Sequence, residues 1–146
     1  MEIRPFEDAD EPAVIQLWDR CGLLRPWNDP GKDIARKKRV QRELFLVGTV
    51  EGAIVASAMA GYDGHRGWIN YLAVDPARRR QGLGAALMNE LERKLRSLGC
   101  AKINLQIRRD NPDAIAFYQR IGFLEDAVLS FGKRLERDDE TPGPAI

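Results

Sequence analysis

The chain changes period at Pro76, and this change constrains the fold more than any other feature of the sequence. Before it, residues 53–61 and 67–74 read as strands, with Glu51-Gly52 between them and an earlier strand at residues 44–50 as a hairpin turn that favours positive φ. After it, Leu87, Leu91, Leu95 and Leu98 recur at i, i+4, i+8 and i+11, which predicts one long amphipathic helix over residues 82–98 with Gly99 closing it. Between strand and helix lies Ala77-Arg78-Arg79-Arg80-Gln81-Gly82-Leu83-Gly84. The first-turn N–H groups of a helix lack intrahelical partners and carry the positive end of its dipole. Phosphate oxygens satisfy such donors, and glycine removes the Cβ that would hold a ligand away. Two glycines one residue apart support only a turn. A strand, a basic loop and a periodic helix in that order support an anion cradle.

Two other phosphate motifs do not fit. GxxxxGK followed by Ser or Thr is absent, and no third glycine or opening βαβ unit makes a dinucleotide fingerprint. The remaining elements follow from local signals. Residues 3–6 read as a short strand, and Asp8 or Asp10 can cap a helix that runs to Cys21, with Val14, Leu17, Trp18 and Cys21 on one apolar face. A loop with two prolines follows, then a basic helix over residues 31–43 carrying Arg36, Lys37, Lys38, Arg39 and Arg42; such a run is usually a solvated face. Ile103, Leu105 and Ile107 alternate with polar residues, the mark of a half-buried strand over 102–108. Asn111-Pro112 is an N-cap with proline at N1, opening a helix that Gly122 ends. Residues 123–135 are expected to supply two short final strands, and 136–146 a charged, frayed tail.

At 146 residues the chain fits one domain, residues 1–135, and its net charge of +1 argues against whole-surface attraction to nucleic acid. No apolar run spans a bilayer, and the acidic N-terminal stretch is no secretory signal. Cys21 and Cys100 stand far apart, so a disulfide is not forced; two reduced thiols in a cytoplasmic protein is the expectation. A single histidine, His65, without ligand-spaced neighbours predicts no metal.

The turn Arg79-Arg80-Gln81-Gly82-Leu83-Gly84, preceded by Leu72-Ala73-Val74-Asp75-Pro76 and followed by Asn111 through Phe123 (NPDAIAFYQRIGF), resembles the GNAT superfamily of N-acetyltransferases. The turn matches that family's Q/R-x-x-G-x-G/A signature for acetyl-CoA, and the order of elements fits over residues 2–135. The likeness is strongest to small bacterial members, including those that acetylate protein N-termini. It implies an α/β (α+β) fold: a mixed, mostly antiparallel sheet of six or seven strands, splayed at the strand ending near Val74 and flanked by about four helices.

The resemblance also implies roles. Leu72, Ala73 and Val74 would meet the pantetheine arm chiefly by backbone, as an unpaired strand edge can. Arg79, Arg80, Gln81, Gly82, Leu83, Gly84 and Ala85 would hold the pyrophosphate. Asn111 matches a cofactor contact, although an N-cap role explains it equally. Tyr118 matches the residue that protonates the departing CoA thiolate, and also contacts the cofactor. The glutamate base of N-terminal acetylases falls on Gln106, which cannot accept a proton; His65 or Asp63 on the loop 62–67, or a water, is the substitute. The acceptor would enter between the loops 21–31 and 62–67, past Trp27, Tyr62, Arg66 and Tyr71. The implied activity is acetyl transfer from acetyl-CoA to a primary amine of a small molecule or peptide, releasing CoA. An acetyl-CoA-binding module without turnover is the alternative. Neither nucleic acid nor membrane is an expected partner, and a homodimer is open, since relatives often dimerise.

Overall fold

Alternation on the central strands determines where the two cores form. The computed structural model describes residues 1–138, and the remainder of the expected tail, 139–146, lies outside the described residues. Five strands, β1 (Glu2–Pro5), β2 (Phe45–Val50), β3 (Ala53–Tyr62), β4 (Gly67–Val74) and β5 (Ile103–Leu105), form one sheet in chain order. The first four are antiparallel neighbours, and β5 joins β4 in parallel. Four helices cover the sheet: α1 (Glu11–Arg20), α2 (Pro30–Lys37), α3 (Leu83–Ser97) and α4 (Pro112–Arg120).

Successive side chains of a strand point to opposite faces. Leu44, Leu46, Ala56, Ala58, Ala60 and Ile69 therefore share one core with Leu87, Met88, Leu91 and Leu95 of α3. Phe45, Val47, Met59 and Ala73 share the other with Val14, Leu17 and Trp18 of α1 and Ile34 of α2. The leucine stripe read from the sequence is the inner face of α3, although Leu98 itself is exposed. With both faces covered, the one buried polar side chain of central β3, Ser57, needs a partner, and Trp18 supplies it by donating Nε1–H to its Oγ at 2.9 Å.

Three expectations are corrected. The second helix ends at Lys37 rather than 43, because Gln41 adopts the left-handed region (φ 52°). There its side-chain amide accepts from Tyr62 N and donates to Tyr62 O, holding the end of β3. The strand expected over 102–108 pairs only at residues 103–105, where β4 and β5 are still together. Finally, residues 123–135 form no strand, so the sheet has five strands among the described residues rather than six or seven. An edge three residues long offers little ladder to a further strand. The segment runs beside β5 through side chains instead: Asp126 accepts from Lys102 at 3.0 Å and from Asn104 at 2.8 Å, and Gln106 donates to Ser130.

Leu91 is fully buried between α3 and the sheet. Leu91→Ala is expected to cost about 2–5 kcal/mol, read as a lower urea midpoint at unchanged m-value.

Candidate active site

The sequence places proline and an aspartate where β4 must stop, and this local chemistry starts the site. Asp75 accepts from the Ala77 amide at 3.0 Å, and Pro76 opens a single 3-10 turn over Pro76–Arg78. Arg80 (φ 64°) and Gly82 (φ 75°) are both left-handed, and the chain then enters α3. A Cβ on Gly82 would meet no atom within 4 Å, so the space beside this turn is open. Gly84 differs. It is buried, and a Cβ there would stand 3.1 Å from the Phe117 ring and 3.5 Å from Val74. Its glycine lets α4 pack onto α3 and the end of β4, and is not itself an opening for a ligand.

The helix termini show why this turn suits an anion. Asp29 caps α2 by accepting from Lys32 N, and Asn111 caps α4 by accepting from Ala114 N, each at 3.1 Å. Helix α3 has no side-chain cap and no acidic residue in its first turn. The exposed Arg79, Arg80 and Gln81 immediately precede it, and a phosphate would complete its leading N–H groups.

Beside this turn β4 has a free edge. Pairing with β5 stops at Ile69, and the β3 register shifts so that Tyr71 and Leu72 together oppose Ala58. Such a bulge bends the strand. The Asp75 amide bonds Val55 O, toward β3, while the Val74 carbonyl accepts from Cys21 Sγ at 3.3 Å. By strand alternation the Val74 N–H faces away from β3 and into the splay. Cys21, read from the sequence only as a helix-face residue, thus belongs to this site; burial pushes its thiol up, outweighing Arg79 beside it. No spacing in the sequence could have shown that contact.

Tyr118 on α4 stands edge-on to Phe117 and Phe123, with ring centroids 5.1 and 5.6 Å away. Burial pushes its phenol up to about 12, so it keeps its proton throughout the neutral range.

The structure separates the other candidates. Trp27 is half-buried under the Arg108 guanidinium, 5.5 Å from its ring centre, and its Nε1 is buried with no hydrogen-bond partner among the described residues. This loop stands at the Val74 end of β4, through Cys21. Tyr62, Asp63, His65 and Arg66 stand at the Gly67 end, about 23 Å away along an eight-residue strand. Asp63 is engaged there, accepting from the His65 and Arg66 amides at 2.8 and 2.7 Å. The two loops expected to form one entrance are therefore at opposite ends of β4, too far apart for His65 or Asp63 to take a proton at Val74. Tyr71 is a packing residue: its ring stacks 3.9 Å from Trp18 and its hydroxyl donates to Asp33 at 2.6 Å. Among the described residues no group of His, Cys, Asp and Glu could hold a metal, and no helix is long and apolar enough to cross a membrane.

The splayed β4 edge, the uncapped helix after it and the match of residues 10–123 to the acetyltransferase (GNAT) family decide the assignment. The chain belongs to that family. It is 51% identical over 141 residues to the acetyltransferase SG1711 of Sodalis glossinidius (strain morsitans), covering 96% of this chain and 99% of that protein. Its fold matches Ard1 from Thermoplasma volcanium with a TM-score of 0.78 at 31% identity, over 86% of this chain and 84% of that one. It also matches the ribosomal-protein-S18-alanine N-acetyltransferase from Escherichia coli, with a TM-score of 0.71 at 30% identity over 86% and 79% of the two chains. The five-stranded sheet with four helices is thus a GNAT fold, and the chain is an acyltransferase.

A substitution at Gly82 tests the cradle. Gly82→Ala must hold alanine in the left-handed region, a strain of about 1–2 kcal/mol, and puts a methyl group on the open side of the turn. The expected result is about tenfold weaker acetyl-CoA binding by calorimetry, a loss of about 1.4 kcal/mol. Gly99→Ala, at φ 89° and distant from the cradle, should lower the melting temperature comparably while leaving that affinity unchanged.

Proposed function

We propose that the chain transfers the acetyl group of acetyl-CoA directly to a primary amine, of a small molecule or, with better support, of a peptide or protein. The single observation that carries acetyl-CoA as donor is the uncapped N-terminus of α3 beside the free edge of β4. The amides of residues 82–85, with Arg79, Arg80 and Gln81, bind the pyrophosphate. The backbone of Leu72, Ala73 and Val74 pairs with the pantetheine arm, and Asn111 adds a contact with the amide nitrogen that its capping role leaves free. A peptide amine is favoured because the ribosomal-protein-S18-alanine N-acetyltransferase is 30% identical, whereas the aminoglycoside 6'-N-acetyltransferases are similar at 18–21% identity.

The reaction needs few groups. The neutral amine nitrogen attacks the thioester carbonyl carbon, and the resulting oxyanion takes the Val74 N–H. Collapse breaks the C–S bond; the leaving thiolate accepts a hydrogen bond, then a proton, from Tyr118, while the new amide nitrogen loses its proton to water, and water returns a proton to Tyr118. Gln106 stands where relatives hold a carboxylate, and its amide is engaged with Ser130. The amine therefore arrives already deprotonated from solvent. That same vacancy is the one observation favouring a module that binds acetyl-CoA without turnover. CoA release over a panel of amines decides between them: turnover on any acceptor supports the enzyme, and tight acetyl-CoA binding with none supports the module.

Two outcomes follow from the mechanism. Tyr118→Phe should lower kcat about 10²-fold with the acetyl-CoA KM within about twofold, read by thiol release. With an α-amine acceptor, kcat/KM should rise with pH through the amine's own pKa of about 8, and Gln106→Glu should move that limb to lower pH. A wild-type limb independent of the acceptor's pKa would show that a protein base is present.

A further inference from the structure

Asp138 carries a carboxylate that receives several donors at once. Leu124, Val128, Leu129, Phe131 and Leu135 are 76–92% exposed, so this segment buries little apolar surface and its release costs little. Polar contacts hold it, among them Gln106 to Ser130 and Arg134 to Asn28. At the end, the Asp138 side chain is fully covered. Its two oxygens receive Arg36 Nη2 at 2.6 Å, Arg36 Nη1 at 3.4 Å and the backbone N–H of Asp29 at 2.8 Å. Lys32 Nζ adds a 3.4 Å contact to the Asp138 carbonyl. A planar guanidinium with a backbone amide at a helix start is a geometry that suits a carboxylate, and it holds the Asp138 carboxyl down at about 2.

The surroundings are those of an entrance. A shallow, open depression of about 440 Å³ is lined by Leu24, Pro26, Asn28, Asp29 and Asp138 itself. The same loop carries Trp27, whose buried Nε1 has no hydrogen-bond partner among the described residues. Arg36 also bonds Asp33 at 3.1 Å, and Asp33 takes the Tyr71 hydroxyl at 2.6 Å. Tyr71 lies three positions before Val74, about 10 Å along β4. An extended peptide with its amine at the thioester spans that reach in roughly three to five residues.

We propose that Arg36 and the Asp29 amide form a carboxylate subsite for the acceptor, filled in this structure by the chain's own Asp138 and taken over by an acidic side chain of the acceptor peptide. The proposal rests on the acetyl-transfer reading above. It makes the acceptor class acidic near its N-terminus, and makes residues 124–138 a strap that the acceptor displaces.

Peptide pairs carrying Asp or Asn at one of positions two to five test it. For wild type, the ratio of kcat/KM between acidic peptide and amide twin should be about tenfold at the favoured position. Asp138→Asn removes the charge that fills the subsite, leaving only Glu136 at 3.8 Å from Arg36 among the acids of residues 124–138, and should raise that ratio about fivefold; Arg36→Gln should collapse it toward one. The same pairs, N-acetylated so that they cannot react, are titrated by calorimetry against wild type and Asp138→Asn. Acid-dependent binding that strengthens in the variant supports the subsite even if no peptide is turned over, in which case only the transfer reading has failed. Turnover with acidic and amide twins equal in all three proteins overturns the subsite and leaves the transfer reading standing. Because Arg36 also holds Asp33, a fall in Arg36→Gln melting temperature would shift the decision to Asp138→Asn, whose unchanged ratio and unchanged binding would overturn the proposal.

Discussion

Tyr71 holds a left-handed backbone, φ 54°, in the middle of β4, and the candidate site depends on what compensates that strain. A non-glycine residue in this region costs of order 1–3 kcal/mol and persists where its surroundings over-determine it. Here they do. The ring stacks 3.9 Å from Trp18, Trp18 is tied to Ser57 on β3, and the hydroxyl is held by Asp33 on α2. Three elements thus clamp one residue. With the bulge in place, β4 turns from β5 after Ile69 and its edge near Val74 stays unpaired. An unpaired edge inside a domain is normally a liability; beside the uncapped start of α3 it is a place for an extended, phosphate-bearing ligand.

The same clamp connects the β4 edge to Arg36. Asp33 is bonded both by Tyr71 and by Arg36, so the residue that shapes the β4 edge also orients the guanidinium that receives Asp138. Cys21 completes the link from the other direction, joining the end of α1 to the Val74 carbonyl. The Val74 end of β4 is therefore met by the end of α1 through Cys21, and by α4 and the start of α3 where Phe117 packs on Gly84. The opposite end of β4 is a separate place, closed by Gln41 and the Asp63 turn.

Much of this was legible from local signals. The strand–turn–helix order around Pro76 is a matter of period and of residues with special backbone needs, and each acts over a few positions. The leucine stripe found its core, Asn111 capped its helix, and Glu51 and Gly52 took the positive φ that their hairpin needs (50° and 79°). The glycine spacing suggests one shared role for Gly82 and Gly84, whereas the fold uses the first for its left-handed turn and the second for close packing against Phe117. Spacing cannot separate those uses, because the neighbour that makes Gly84 tight comes from 33 positions away.

What the sequence by itself determined was the set of elements, their amphipathic faces, the family and the turn that suits a pyrophosphate, since all of these are written in contiguous residues. Tertiary structure alone decided which end of β4 each loop occupies, and so removed His65, Asp63, Tyr62 and Arg66 from the neighbourhood of Val74. It also decided that Tyr71 packs instead of lining an entrance, that residues 123–135 lie beside β5 without joining it, and that Asp138 meets Arg36 across 102 positions. Each of these depends on the direction and register of paired strands, and a one-residue change in register reverses which face a side chain takes. The chemistry of the turn is local; the geometry that surrounds it is not.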